Sequence, residues 1–463
     1  MSAENTPKIS IIGGGLAGCE CALQLADRGI LVRLHEMKPV QRSAAHHSND
    51  LAEIVCSNSF GSQGPSTASG LIKLEMAELG CKLLQIAQSV SVPAGKALAV
   101  DRDKFAQKVT QTIQQHPYIE YCPGDVTEIP ADADYVVVAT GPLTSQGLVS
   151  SLQKLLKREQ LYFFDAASPI IVRDSINMDI AFVQDRYGNE QDMDAGAQSY
   201  INCPLNKEEY LALVEKILET EKTELKSFEK ESASYFESCL PVEVIASRGV
   251  DTLRYGPMKP VGLDDPRTGR WPYAVVQLRQ DNAEATLYNM VGFQTNIKWG
   301  AQKEMIQMIP GLENADVVRY GVMHRNTFIH SPEVLLPTLQ LKEHPHIFVA
   351  GQLTGTEGYT ESIATGMVAA LNIARMIEGK QPLQLPRETM LGALLGYITR
   401  EEAIGKSFQP INSNWGIMPP PQEAVSFKKK EKDKRNAYYV ERSLTVLRKN
   451  VLSECVPAVG LTR

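Results

Sequence analysis

A glycine-rich turn near the amino terminus is the first indication of chemistry. Gly13-Gly14-Gly15-Leu16-Ala17-Gly18 fits the pattern G-x-G-x-x-G and lies between a strand-like segment, 8–14, and a helical segment, 17–28. The first glycine permits a tight turn, the second lets the backbone approach a pyrophosphate, and the third lets the helix pack on the strand. Glu36 ends the next strand-like segment, where a carboxylate accepts hydrogen bonds from a ribose. The spacing predicts a dinucleotide site.

Two later segments favour FAD over NAD as the dinucleotide. Val136-Val-Val-Ala-Thr-Gly141 resembles the second strand signature of flavoproteins that bind two dinucleotides, which assigns Thr140 and Gly141 to the cofactor site. A buried strand ending at Gly351, followed by a helix from about Glu361, resembles the segment that closes over the flavin. The amino terminus of that helix would stabilise negative charge on a reduced flavin.

The eight cysteines form no C-x-x-C pair, so neither a metal site nor a disulfide framework is predicted. Each thiol taken alone is expected to be a small buried hydrophobic group. Chemistry at any of them therefore needs a further reason from its surroundings.

The elements that must position these residues suggest an α/β protein with an insertion. The 463 residues are 43% apolar and 22% charged, a composition typical of globular enzymes. The pattern predicts a first part at 1–160, an inserted α+β domain at 161–322, a return to the first domain at 323–385, and a C-terminal segment at 386–463 with a basic tail. The N-terminus is short and polar and no apolar run could span a membrane, so we expect a cytoplasmic protein without a membrane partner.

Five segments in order resemble the folate- and FAD-dependent tRNA (uracil-5-)-methyltransferases, the TrmFO family, which belongs with the larger GidA-type tRNA-modifying flavoproteins. They are Glu53-Ile-Val-Cys-Ser-Asn-Ser-Phe60, Val92-Pro-Ala-Gly-Lys-Ala-Leu-Ala-Val-Asp-Arg102, Phe236-Glu-Ser-Cys-Leu-Pro-Val-Glu243, Thr252-Leu-Arg-Tyr-Gly-Pro-Met-Lys-Pro-Val-Gly262 and Gly351-Gln-Leu-Thr-Gly-Thr-Glu-Gly-Tyr359. The resemblance implies a Rossmann-like FAD-binding domain of the GidA and glutathione reductase type, with Gln352 and Gly358 also at the cofactor. It further implies methylation of the T-loop uridine at tRNA position 54, with methylenetetrahydrofolate as carbon donor and NAD(P)H as reductant of FAD.

The resemblance also assigns two cysteines to the reaction. Uracil C5 becomes nucleophilic when a thiolate adds at C6, and a second group must later remove the C5 proton. Cys56 and Cys239 match the two reactive positions of the family. We assign Cys56 to addition and Cys239 to proton transfer, with the order open, and we leave the other six cysteines as structural. His46, His47 or Arg42 is expected to supply positive charge near Cys56.

Substrate contacts are predicted in two places. His324 matches the family histidine that stacks on the pterin of the folate, and Arg325 and Asn326 beside it suit an anionic ligand. Arg254 and Lys259, with aromatic neighbours, could contact tRNA phosphates and bases, or lie on a solvated sheet face. The basic run at 428–435 has the same two interpretations, although the whole chain carries a net charge of −7.

Three other functions remain open at this point. They are modification of the wobble uridine by a GidA-type enzyme, oxidation of a small metabolite by a flavin enzyme, and RNA binding by a catalytically idle flavoprotein. The chain is shorter than GidA-type proteins and lacks their long C-terminal helical region, which favours the T-loop function. No obligate protein partner is evident from the sequence, and the oligomeric state and the choice between NADH and NADPH stay open.

Overall fold

The structure is a computed structural model. It describes residues 7–43, 45–157, 161–166, 168–186, 200–222, 240–321, 323–405, 408–421, 427–428 and 431–452. Cys239, predicted to be reactive, lies outside the described residues.

The strands in the described residues are β1 (Ile9–Ile12), β2 (Val32–Glu36), β3 (Ser59–Ser62), β4 (Ser91–Val92), β5 (Ala97–Val100), β6 (Ile119–Pro123), β7 (Tyr135–Val138), β8 (Leu161–Ala166), β9 (Ile170–Val172), β10 (Phe182–Val183), β11 (Tyr200–Leu205), β12 (Ala274–Gln280), β13 (Leu287–Met290), β14 (Val317–Arg319), β15 (Met323–Phe328) and β16 (Ile347–Val349).

The α-helices are α1 (Leu16–Ala26), α2 (Ala68–Glu78), α3 (Lys82–Ser89), α4 (Arg102–Gln115), α5 (Gln146–Leu156), α6 (Lys207–Glu219), α7 (Val242–Ser247), α8 (Thr252–Tyr255), α9 (Trp299–Gln307), α10 (Ser331–Val334), α11 (Tyr359–Ile377), α12 (Met390–Ile398) and α13 (Lys432–Leu447). Short 3₁₀ turns cover Arg173–Ser175, Gly351–Thr354, Glu401–Ala403 and Trp415–Ile417, and a π turn covers Arg448–Leu452.

A five-stranded parallel sheet, in the order β16-β7-β1-β2-β6, forms the centre of the first domain. Its strands are short apolar runs, and β1 is buried along its whole length, as expected for a parallel sheet covered on both faces. Helices α1 and α11 pack closely because Gly366 has no side chain; a Cβ there would lie 2.1 Å from the carbonyl oxygen of Ala17. The predicted α/β fold with a Rossmann-like first domain is confirmed.

A second sheet of six strands, in the order β10-β11-β12-β13-β9-β14, is formed by residues 170–319, and all its pairings are antiparallel. Strand β12 is buried at every position, and its neighbours α6 and α9 complete a core that contains Tyr210 and Phe293. Strand β16, which closes the parallel sheet, comes after this unit in the chain. We propose that this unit is the inserted domain predicted at 161–322.

The chain enters and leaves the second unit through one antiparallel ribbon. Strands β8 and β15 pair from Leu161↔Phe328 to Ala166↔Met323. His324, Arg325 and Asn326 lie on β15 of this ribbon, and their side chains are outside the described part of the structure. Along the chain, the predicted folate residues therefore lie after β14, the last strand of the six-stranded sheet, and before β16 of the parallel sheet.

The C-terminal segment packs against the first domain. The buried carboxylate of Glu75 on α2 accepts hydrogen bonds from the backbone N–H groups of Met390 (2.6 Å) and Leu391 (2.8 Å) at the start of α12 and from the hydroxyl of Ser443 on α13. Burial raises the pKa of Glu75 to about 7, although these three donors oppose the shift. One side chain thus joins three helices.

The sequence pattern predicts a helical segment at 71–90 and a charged helix at 207–230, and both differ from the observed elements. The helical segment expected at 71–90 is two helices, α2 and α3, because Gly80 turns the chain with a φ of +78°. The charged helix expected at 207–230 ends as α6 at Glu219, and residues 223–230 lie outside the described part.

Candidate cofactor site and reactive cysteine

The three glycines of the G-x-G-x-x-G turn have different surroundings. Gly13 has a φ of +108°, and a Cβ there would lie 2.5 Å from the carbonyl oxygen of Ala139 on the neighbouring strand. A Cβ at Gly18 would lie 1.9 Å from the carbonyl oxygen of Gly13. A Cβ at Gly15 would meet no atom within 4 Å. Gly13 and Gly18 therefore permit the turn and the packing, whereas Gly15 keeps open the space in front of α1.

The predicted acid is connected to the same turn. Glu36 is buried at the end of β2, and its Oε2 accepts a hydrogen bond of 2.7 Å from the backbone N–H of Gly14. Its Oε1 accepts one of 3.1 Å from the backbone N–H of Lys38. These amides fix the carboxylate beside the glycine turn, and a carboxylate has further lone pairs to accept ribose hydroxyls.

A cavity of about 1060 Å³, including its open mouth, runs from this turn across the carboxyl ends of the parallel strands. Ten of the twelve predicted cofactor residues line it: Gly13, Gly14, Gly15, Leu16, Ala17, Glu36, Thr140, Gly141, Gly351 and Gln352. Gly18 and Gly358 do not line it. Gly18 packs behind the turn, and Gly358, with a φ of +110°, starts α11.

The residues of the cavity fit a dinucleotide. Helix α1 begins at the cavity with no side chain as its cap, so its first N–H groups suit a pyrophosphate. The hydroxyl of Ser145, which also lines the cavity, is buried and has no hydrogen-bond partner among the described residues. An unpaired buried hydroxyl is costly unless a ligand satisfies it. These features fit a dinucleotide such as FAD.

Cys56 lies next to the far end of this cavity. Its Sγ is 2.9 Å from the phenol oxygen of Tyr359, which lines the cavity at the start of α11. That oxygen also accepts hydrogen bonds from the backbone N–H groups of Cys56 (3.0 Å) and Ser57 (3.2 Å). The phenol proton therefore remains available to the sulfur, where it would stabilise a thiolate.

The protonation of Tyr359 suits this role. Burial, and then the neighbouring Cys56, raise the pKa of the phenol well above its usual range. Tyr359 consequently keeps its proton at neutral pH. In the sequence, Tyr359 ends one of the family segments, and no pattern there assigns it a role. Its place directly after Gly358, at the start of the helix that closes the cavity, is the signal that points to it.

The expected source of positive charge near Cys56, His46, His47 or Arg42, stays a prediction. Arg42 is exposed, and its Nη1 donates to the carbonyl oxygen of His47 at 3.2 Å. His46 lines the cavity and its ring nitrogen is 2.6 Å from the hydroxyl of Ser43. A cation in contact with the backbone next to Cys56 is Arg102, whose Nη1 donates to the carbonyl oxygen of Val55 at 3.1 Å.

The predicted tRNA contacts Arg254 and Lys259 lie away from the lining of the cavity. Arg254 stacks on the ring of Tyr273 at 4.2 Å, and its Nε donates to the carbonyl oxygen of Tyr273 at 2.8 Å. Neither Arg254 nor Lys259 lines the cavity. Both remain predicted tRNA contacts. Strand β15 does border a second, adjacent cavity of about 770 Å³ through Thr327, whose N–H donates to the carbonyl oxygen of Pro142.

Four other cysteines are buried as expected. Cys19, Cys21, Cys81 and Cys203 have almost no exposed surface, and burial raises the pKa of each thiol far above its usual range. Such thiols are poor nucleophiles. Cys122 differs because it is partly exposed.

The fold and the cavity together define a flavoprotein-type dinucleotide-binding protein. Residues 8–381 match the family model described as glucose inhibited division protein A. A solved structure of Aquifex aeolicus GidA has the same fold, with a TM-score of 0.67 and 17% identity, covering 97% of this chain and 74% of that chain.

Relatives define the branch of that family. A Trichormus variabilis protein named methylenetetrahydrofolate–tRNA-(uracil-5-)-methyltransferase TrmFO is 54% identical over 439 residues, which cover 95% of this chain and 97% of the relative. A Halalkalibacterium halodurans protein of the same name is 52% identical over 425 residues, covering 92% and 95%. The chain belongs to the TrmFO family. None of the described helices is long and apolar enough to cross a membrane.

Proposed function

We propose that this protein methylates C5 of a tRNA uridine, the T-loop uridine at position 54, with methylenetetrahydrofolate as carbon donor. The observation that carries the proposal is the position of Cys56, whose sulfur contacts Tyr359 at the edge of the dinucleotide cavity. A flavin site and a partly exposed thiol at its edge are what this chemistry requires. The full-length match to relatives of that name supports it.

Three groups of this chain have distinct roles in the proposed reaction. The thiolate of Cys56 adds to C6 of the uracil, so that negative charge develops at C5 and the ring can attack the methylene carbon of the folate. Tyr359 holds the sulfur and the backbone of its loop in place. Cys239 then removes the proton from C5, and the bond between the methylene carbon and the folate nitrogen breaks, so that tetrahydrofolate leaves. The thiolate of Cys56 leaves C6 once a hydride has reduced the exocyclic methylene to methyl.

The cofactor residues hold FAD in this proposal. The open space at Gly15 and the first turn of α1 would receive the pyrophosphate, Glu36 the ribose, and the start of α11 the flavin end. Bound FAD, reduced by NAD(P)H, would supply the hydride that converts the transferred methylene into methyl. Folate would lie beside it, near β15, where His324, Arg325 and Asn326 are proposed to hold the pterin.

Wobble-uridine modification of the GidA type receives less support. The chain aligns over 97% of the length of its TrmFO relative but over only 74% of the GidA chain. The target tRNA position is therefore assigned to the T-loop, and the residues Arg254 and Lys259 are proposed tRNA contacts.

The carbon donor provides the test of this proposal. Label carried on the methylene of methylenetetrahydrofolate should appear in the T-loop uridine of transcript tRNA, whereas label on the methyl of S-adenosylmethionine should not. The reason is that the described structure offers one dinucleotide cavity for FAD, and the transferred carbon must arrive at the oxidation level of a methylene. Nuclease digestion and chromatography locate the label. A matched reaction with tRNA in which uridine 54 is replaced by cytidine is the control.

Two outcomes would count against the proposal. Label transferred from S-adenosylmethionine would exclude the folate mechanism. Label from folate in the wobble uridine, with none in the T-loop, would assign the chain to the GidA-type reaction instead.

A further inference from the structure

The backbone immediately before Cys56 is held by a buried arginine that is itself held by the second sheet unit. Arg102, at the first position of α4, donates from Nη1 to the carbonyl oxygens of Val55 (3.1 Å) and Ile54 (3.3 Å). Its Nε lies 3.0 Å from each carboxylate oxygen of Asp281, just after β12. Both side chains are more than nine-tenths buried.

The backbone immediately after Cys56 is held from the same direction. The amide of Asn58 is fully buried, and its Nδ2 donates to the carbonyl oxygens of Val100 (3.0 Å) and Gln280 (2.9 Å). Its Oδ1 accepts a hydrogen bond of 3.0 Å from Nε of Arg279. The end of β12 thus fixes the Cys56 loop on both sides of the cysteine.

The charge of Arg102 also reaches the thiol. Burial lowers the pKa of Arg102, but the charges of Asp281, Tyr359 and Cys56, with the Asp281 hydrogen bonds, outweigh burial and raise it. The interaction with Cys56 is mutual, because a cation that gains from a nearby thiolate stabilises that thiolate equally.

Other charged groups surround the same loop and would contribute to any titration measured there. They are Tyr359 from α11, Asp281 after β12, Arg319 from β14, Asp103 from α4, and Lys38, His46 and Glu53 from the segment before Cys56. Glu53 accepts hydrogen bonds from the N–H groups of His47 and Ser48 and lies 3.7 Å from Lys38, so its charge is largely compensated within its own segment.

We propose that Arg102 is a positioning residue for Cys56, which orients the loop and stabilises the thiolate, and that Asp281 determines how much of the cationic charge the thiolate experiences. The inference rests on the proposed role of Cys56 as a reacting thiolate, in addition or in proton transfer. It assigns the second sheet unit a part in the chemistry, because its residue Asp281 balances the charge beside the reacting sulfur.

The rate of Cys56 alkylation as a function of pH tests this proposal in the FAD-bound enzyme without tRNA. Iodoacetamide labels thiolates, and peptide mass spectrometry separates Cys56 from the partly exposed Cys122, an internal reference. Asp281→Asn leaves the cation uncompensated and should lower the midpoint of the Cys56 profile by about half a pH unit or more. Arg102→Gln removes the cation and should raise that midpoint by about one pH unit.

Two further variants separate charge from folding. Arg102→Gln leaves Asp281 buried and unpaired, which can unfold a protein, so the double variant Arg102→Gln/Asp281→Asn supplies a neutral pair in the same place. This double variant should fold and still show a raised midpoint. Arg102→Lys keeps the charge but not the planar fork, so it should restore most of the midpoint while leaving methylation slow.

A matched control lies at the same junction. Lys104 on α4 pairs with Glu284, in the same connection as Asp281, and both are about half exposed. Glu284→Gln should leave the Cys56 midpoint and the methylation rate unchanged. Shifts of the same sign in Asp281→Asn and Arg102→Gln, or no shift in either one, would overturn the proposal.

The proposed function is tested separately from this inference. If the midpoints shift in opposite directions but labelled folate transfers no carbon to tRNA, then Arg102 acts on Cys56 and the function is wrong. If the carbon is transferred and the midpoints stay fixed, the function stands and the positioning role is wrong.

Discussion

Cys56→Ala is expected to form no covalent adduct with tRNA that carries 5-fluorouridine at the target position, whereas the unchanged enzyme becomes trapped on it. Fluorine at C5 blocks the proton removal, so an enzyme that has added to C6 cannot leave. The sulfur of Cys56 lies 2.9 Å from the phenol oxygen of Tyr359, which lines the flavin cavity. Methylation of normal tRNA should fall at least about 10³-fold, as expected for loss of a nucleophile. Denaturing gels of the protein with labelled tRNA detect the adduct.

Cys239→Ala should behave differently, because its proposed work follows methylene transfer. It should still form the adduct with fluorinated tRNA and fail to release methylated product from normal tRNA. Cys122→Ala, at a partly exposed cysteine outside the cavity lining, is the matched control and should do both. An adduct in Cys56→Ala and none in Cys239→Ala would reverse the two roles, and adducts in both variants would exclude cysteine addition at these positions.

Gly15→Val is expected to yield a folded protein that has lost its flavin. The valine side chain meets no protein atom at its Cβ, yet it occupies the space in front of α1 where the pyrophosphate is proposed to lie. We expect the FAD content after purification to fall at least about tenfold, which corresponds to roughly 1.4 kcal/mol or more of lost binding free energy. Absorbance at flavin wavelengths measures the content, and circular dichroism measures the fold.

Two other glycines serve as controls for this variant. Gly300 on α9 is also free of contacts at a Cβ, so Gly300→Ala should keep both the fold and the flavin. Gly18→Ala places a Cβ 1.9 Å from the carbonyl oxygen of Gly13, so it should lose stability as well as flavin. A Gly15→Val protein with full yellow colour would contradict the proposed position of the cofactor.

The cofactor half of the site was predictable because its signals are local. The glycine turn, the strand before it and Glu36 lie within 28 residues of one another, and each type of residue has a specific task in a strand-turn-helix unit. Gly18 and Gly358, also predicted at the cofactor, shape the backbone beside the cavity and do not line it. Cys56 was found only through the family resemblance, since nothing in its own segment distinguishes it from a buried thiol.

The interactions that prepare Cys56 could not be predicted because they connect distant parts of the chain. Arg102 and Asp281 are 179 positions apart, and Cys56 and Tyr359 are 303 apart. A single sequence contains no signal for such pairs. It therefore suggests a cation for Cys56 only among residues close to it in the chain, namely His46, His47 and Arg42. The fold brings the distant arginine in because α4 begins at the end of β5, beside the Cys56 loop and β12.

The order of the strands has a consequence for synthesis of the protein. Strand β16 pairs with β7 through Ile347↔Val136, and the whole second sheet unit lies between them in the chain. During synthesis on the ribosome, one edge of the parallel sheet therefore stays unpaired until β16 has been made. Helix α11, which closes the flavin end of the cavity, is made later still. The second unit can complete its antiparallel pairings during that delay. The dinucleotide cavity can therefore be completed only after the second unit has been synthesised.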